Sequence, residues 1–168
     1  ITGVPELVRD VLHREAGGFS IVMVGYAVGS VAAGAILARF PARNKARASL
    51  LAWTIYLPAF GLFAAGGTLP VAIAGAFLSG LGQSAALILV TSAAQEQVAD
   101  DVLGRVMGVV SLVHRGAHAS GLILISPLFA VFAPRAIFAG AAVAIAALGI
   151  AGVGIAYVVE RRAGRNEN

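Results

Sequence analysis

The sequence predicts an all-α fold, a polytopic membrane bundle of about five transmembrane helices plus the end of a sixth. Three observations predict it. Apolar residues make up 59% of the 168 positions and charged residues only 12%, where a soluble domain carries about 25% charged residues. The charges are segregated, with no Lys, Arg, Asp or Glu in 16–38, 48–95, 116–134 or 136–159, runs of 23, 48, 19 and 24 residues. A helix needs about 20 apolar residues to cross the hydrocarbon core. Each run therefore holds one span, and the longest holds two, divided at Gly66-Gly67-Thr68-Leu69-Pro70.

The net charge of +4 does not indicate nucleic acid. The cations sit at span ends, where lysine and arginine set membrane orientation. The expected partner is the lipid bilayer. Without cysteine, disulfides and thiolate metal sites are excluded.

Residues 1–17 read as a polar connector with Glu6, Arg9, Asp10, His13, Arg14 and Glu15, and His13 as a surface histidine. The chain begins at Ile1, and ITGVPELVRDVL resembles the tail of an earlier span. It is therefore read as a fragment of a longer protein.

Span one covers about 18–40. Gly25 and Gly29, with Ser30 and Gly34, are spaced to let another helix approach closely. Lipid tails give helices no hydrophobic reason to associate, so close backbone packing must supply the attraction. Tyr26, beside Gly25, either packs with its hydroxyl satisfied locally or reaches a cavity. Pro41 ends the span, and the basic loop of Arg39, Arg43, Lys45 and Arg47 follows.

Span two, about 48–65, carries Pro58, which removes one backbone hydrogen bond and should kink the helix. Trp53 and Tyr56 read as an anchor at the membrane interface. Span three opens at Pro70, where a missing N–H costs nothing. Gly75, Ser79, Gly82, Gln83 and Ala86 recur at three- and four-residue steps, so one face is small and polar. Gly80, Ser84, Thr91 and Gln95 form a second line beside it. Gln83 lies near mid-span, where an unpaired amide costs several kcal/mol. It must face a partner helix or a wet cavity.

The stretch 95–121, QEQVADDVLGRVMGVVSLVHRGAHASG, reads as a charged loop running into span four, about 106–132. Span five, about 134–159, is mostly Ala, Gly, Ile and Val with no polar side chain between Arg135 and Tyr157, and reads as scaffold. Counting Lys and Arg in alternate connections puts eight (Arg39, Arg43, Lys45, Arg47, Arg105, Arg161, Arg162, Arg165) on one side and three (Arg9, Arg14, Arg135) on the other. The richer side is cytoplasmic by the positive-inside rule, and the C-terminus with it.

Charge inside the membrane is costly and persists for a reason. Three ionisable residues qualify: His114, Arg115 and His118. Arg115 lies ten residues beyond Arg105, about 15 Å along a helix. His114 and His118 share a face at i, i+4. No carboxylate or cysteine accompanies them, so no metal site and no cofactor is expected. A protonation relay through His114 and His118, a polar substrate contact, and hydrogen bonding between helices all remain open. No Asp or Glu lies inside any span. If the protein is proton-coupled, the carrier is one of these histidines or a residue outside this chain.

On these residues the chain resembles the C-terminal half of a major facilitator superfamily transporter, with 1–12 as the end of helix seven and the five spans as helices eight to twelve. Gln97, Asp101, Arg105, Met107, Gly108, Arg115 and Gly116 match a stretch found in its drug, macrolide and siderophore exporter branch. A second family motif, at the loop after span one, is degenerate. Gly34 and Arg39 match and Arg43 lies in the same loop, but Ala38 stands for an Asp and Pro41 for a Gly. The Asp that the resemblance would give to a charge-relay gate is thus missing from this loop.

The resemblance implies a secondary transporter in the inner or plasma membrane, rather than an enzyme. Its two halves would rock about a midplane cavity, and its partners would be the missing N-terminal half, a small-molecule substrate and, for coupling, protons. Spans one, three and four would line the cavity and spans two and five would pack outside. Tyr26, Gln83, Ser84, Arg115 and His118 are the candidate substrate contacts. The rival function is a non-catalytic permease subunit or scaffold, but its mark, a cytoplasmic coupling helix, is not found. An intramembrane enzyme would need a paired nucleophile and base or two carboxylates, and neither is present.

Overall fold

Six helices follow one another through the computed structural model, which describes residues 16–147, the side chains of 16, 122 and 130 excepted. They are α1 (Ala16–Arg39), α2 (Lys45–Thr54), α3 (Tyr56–Ala65), α4 (Leu69–Gln97), α5 (Asp100–Val131) and α6 (Pro134–Ala147). The fold is all-α, with no strand among the described residues. Among the described residues, four spans are long and apolar enough to cross a membrane: 17–39, 45–65, 69–97 and 100–129. The polar connector, the later part of span five and the tail lie outside the described residues.

Each boundary has a local cause. Arg39 closes α1 with a cation at the negative end of the helix dipole. The Asn44 side chain then caps α2 by accepting the Arg47 amide at 3.0 Å. Pro58 interrupts span two as expected. It offers no N–H to the carbonyl four residues back, at Thr54, and the chain tightens there. The Ile55 amide reaches Ala52 at 3.2 Å, and the ladder resumes with Ala59 donating to Ile55 at 3.3 Å. So α2 and α3 are one kinked span.

The charged stretch differs from the expected loop. α4 continues to Gln97 and α5 starts at Asp100, so only Val98 and Ala99 connect them. Asp100 and Asp101 occupy the first turn of α5, where carboxylates meet the positive end of the helix dipole. That stabilisation lets a polar sequence extend the helix rather than break it.

The bundle is organised around α4, which packs along α1 on one side and along α2 and α3 on the other. It touches α5 only sparsely. Small residues make both close approaches possible. A Cβ on Gly29 would collide with the Phe77 carbonyl of α4, and one on Gly80 would collide with the Tyr26 carbonyl of α1. On the other side, Cβ atoms at Gly75 and Gly82 would come within 3.1 and 3.0 Å of the Ala59 and Ala52 carbonyls. The small, polar face read from the sequence is thus the face turned to α2 and α3. Gly34 departs from expectation, because nothing lies within 4 Å of where its Cβ would be. The close crossing of α1 ends above it.

Val22, Phe63, Ala72, Ala76 and Phe138 form the core, drawn from α1, α3, α4 and α6. The Phe138 ring on α6 lies 5.0 Å from Phe63 and 5.8 Å from Phe60, centroid to centroid. Two polar ties mark the ends of the bundle. Lys45 at the start of α2 pairs with Glu96 near the end of α4. At the opposite end, an Arg135 guanidinium nitrogen donates to the Gly66 carbonyl at 3.2 Å. The loops 40–44 and 98–99 therefore share one end, and the loops 66–68 and 132–133 share the other.

Candidate functional site

Polar groups inside the spans fall into two separate places. The first is the α3–α4 interface. Tyr56 is buried there, 6% exposed, and its hydroxyl donates to the Gln83 amide oxygen. The Tyr56 ring stacks on Trp53 at 5.4 Å and meets Phe60 edge-on at 5.3 Å. The interfacial-anchor role expected of Tyr56 is corrected by this burial. Tyr56 stands near the middle of the span 45–65 rather than at an end, and its hydroxyl finds its partner on α4 instead of at a membrane surface. Gln83 thus meets a partner helix through this bond and is half-buried.

Tyr26 belongs to the same region. It is half-buried and packs beside the core cluster. Its carbonyl accepts the Ser30 hydroxyl at 3.1 Å. Ser49 donates to the Ala86 carbonyl at 3.2 Å, fastening α2 to α4. Ser79, fully buried, has no hydrogen-bond partner among the described residues.

The second place is a groove of about 430 Å³ between α4 and α5. Leu87 and Ile88 from α4, with Met107 and Val110 from α5, supply its apolar floor. Thr91, Ser111, His114 and Arg115 supply its polar groups. The Thr91 hydroxyl turns back onto its own helix, 2.8 Å from the Leu87 carbonyl and 3.0 Å from that of Ile88. Arg115 is exposed, and no hydrogen bond or ion pair to it occurs among the described residues. The acidic residues within 16–147 are Glu96, Asp100 and Asp101, all at one end of the bundle.

The structure thus brings His114 and Arg115 together and separates them from Tyr26 and Gln83. Ser84 lies on the Ile88–Thr91 stripe, one turn past the groove lining, and is half-buried. His118 lies one turn past His114 and is exposed. Thr91 and Ser111 join the groove without having been singled out as contacts. Their spacing held the signal: Thr91 shares a stripe with Ser84, and Ser111 is one turn before Arg115. No group of three or more metal-ligating side chains occurs among the described residues. In the loop motif, Arg39, Arg43, Asp101 and Arg105 gather at the end marked by Lys45–Glu96, and Gly34 stands about a turn inside it.

The family model of the Major Facilitator Superfamily matches residues 8–168. The chain belongs to the major facilitator superfamily. Members of this superfamily are membrane transporters, so the protein is a multi-pass membrane transporter. No curated protein and no solved structure matches the chain significantly. The α5 window of highest hydropathy buries no residue among the described ones, although α5 carries the intramembrane charge.

Proposed function

We propose that the chain is the C-terminal half of a secondary active transporter that exports amphipathic small molecules by alternating access. One observation carries this: the α4–α5 groove combines an apolar floor with His114 and Arg115 at membrane depth. Ligand sites are mostly apolar concavities with a few placed polar groups, and an intramembrane cation marks a functional path. The stretch from Gln97 to Gly116 supports the drug, macrolide and siderophore exporter branch. The cation distribution supports a cytoplasmic C-terminus, and the superfamily resemblance supports residence in the inner or plasma membrane.

In this proposal Arg115 is a substrate contact, and Ser84 and His118 extend the same path one turn deeper. Gln83 and Tyr26 act from the packed side of α4, holding the helix that forms one wall. His114 and His118 are the proton carriers available within this chain, the rest of the translocation path being the N-terminal half.

The test is energised efflux of an amphipathic dye panel from intact cells expressing the full reading frame. Efflux above the empty-vector control, abolished by a protonophore, is expected. Dye accumulation above that control would overturn the export direction, and no net movement of any dye would overturn the substrate class.

A further inference from the structure

We infer, on the basis of the transport function just proposed, that the α4–α5 groove takes an amphipathic organic anion, with the acidic group at Arg115 and Ser111 and the apolar body along Leu87, Ile88, Met107 and Val110. The starting point is a charge without a counter-charge. Arg115 has no ion-pair partner among the described residues, and no Asp or Glu is available from 16–95 or 102–147. An unpaired guanidinium at this depth is costly. An acidic group entering with a ligand removes that cost, and the planar fork suits a carboxylate, phosphate or sulfonate.

Groove geometry orients the ligand. Thr91 and Met107 sit toward the short 98–99 connection, and Arg115 sits eight residues beyond Met107, about 12 Å at the helical rise. The apolar floor therefore lies between the connection and the cation. Thr91 directs its hydroxyl to α4 carbonyls, at the connection end of the groove. The donors left at the deep end are Arg115, Ser111 one turn before it, and His114. An acidic group therefore points inward and its apolar body trails toward the connection.

That orientation separates a substrate from a resident lipid. Arg115 lies ten residues past Arg105, about 15 Å along the helix, near the centre of a hydrocarbon core about 30 Å thick. A phospholipid headgroup resting at the interface does not reach that level. A free amphipathic anion does, and the groove of about 430 Å³ has the size of a site for one small molecule.

The experiment uses the full-length protein in phosphatidylcholine nanodiscs and two fluorescent probes with nearly the same body. One is 1-anilinonaphthalene-8-sulfonate, an anion, and the other is N-phenyl-1-naphthylamine, which is neutral. After subtraction of empty discs, Arg115→Gln is expected to weaken the anion on the order of tenfold, the scale of one charge-assisted hydrogen bond. It should leave the neutral probe within about twofold, and Arg115→Lys should fall between parent and Gln. Val110→Trp fills the floor without touching the charge and should weaken both probes, so the site remains testable if an Arg115 variant fails to fold.

Equal effects of Arg115→Gln on the two probes would overturn the inference, since the charge would then serve a protein carboxylate. Anion binding indifferent to Val110→Trp would overturn the location. Displacement of the anion by phosphatidylglycerol in the discs would assign Arg115 to a lipid headgroup and overturn the substrate class. The transport function stands or falls separately. Charge-selective binding without efflux of any dye overturns the proposed export of amphipathic dyes and leaves the anion site standing, whereas efflux with no charge discrimination does the reverse.

Discussion

The Tyr56 hydroxyl donates to the Gln83 amide oxygen across the α3–α4 interface, joining the middle of one spanning helix to the middle of another. Neither group has water at that depth, so each answers a polarity that the other would otherwise leave exposed to hydrocarbon. Tyr56→Phe and Gln83→Leu are each expected to lower stability by about 0.5–2 kcal/mol, the scale of hydrogen bonds between membrane helices. The double variant should lose less than the sum, because it leaves no orphaned partner. Unfolding titrations in SDS–detergent mixtures check this. Strictly additive losses would mean the bond contributes nothing.

The close crossing of α1 and α4 makes a sharper contrast. Gly29→Ala puts a methyl group into the Phe77 carbonyl, whereas Gly34→Ala enters open space. The first is expected to cost on the order of 1–3 kcal/mol, as overpacking does, and to cut the monodisperse fraction in detergent. The second should leave it unchanged or slightly raised. Equal yields would place the α1 contact on another face.

Topology is accessible because the sequence has no cysteine. Single cysteines at Ala46 and Gly67 are both exposed, at opposite ends of the kinked span α2–α3. A membrane-impermeant maleimide added outside intact cells should label Gly67→Cys and spare Ala46→Cys. Labelling of both from one side would break the span map, and the reverse pattern would invert the orientation drawn from the eight-to-three cation count.

The Lys45–Glu96 pair lies at a bundle end, with Glu96 62% exposed. Its contribution to stability should be small, under about 1 kcal/mol, and lost at high salt. Lys45→Glu should be mildly destabilising through like-charge repulsion with Glu96, and adding Glu96→Lys should restore the parent value. The readout is melting temperature in detergent at low and high ionic strength. A large, salt-insensitive loss would show that Lys45 does more than tie α2 to α4.

The existence of the spans was legible in the amino-acid sequence, and for a local reason. A charge-free run about 20 residues long has one way to satisfy its backbone in lipid, as a helix. The kink in span two was equally local, since Pro58 lacks the N–H that Thr54 needs. So was the small face of α4, because Gly75, Gly82 and Ala86 recur at helical steps whatever surrounds them. The length of α5 was hidden: Asp100 and Asp101 look like loop residues until a helix N-terminus is there to receive them.

Which face meets which neighbour was decided by the tertiary structure alone. Spans apolar all round carry no single stripe that points to the core, so their rotation is set by shape, as where Gly29 admits the Phe77 carbonyl. Tyr56 and Gln83 lie 27 residues apart, and nothing in either segment announces that they meet. The same holds for the groove: the sequence identified Arg115 by its depth, but only packing set it in one groove with Leu87, Ile88 and Thr91 of α4 and away from Tyr26. Depth follows from counting along one helix, whereas adjacency depends on how two helices are turned toward each other.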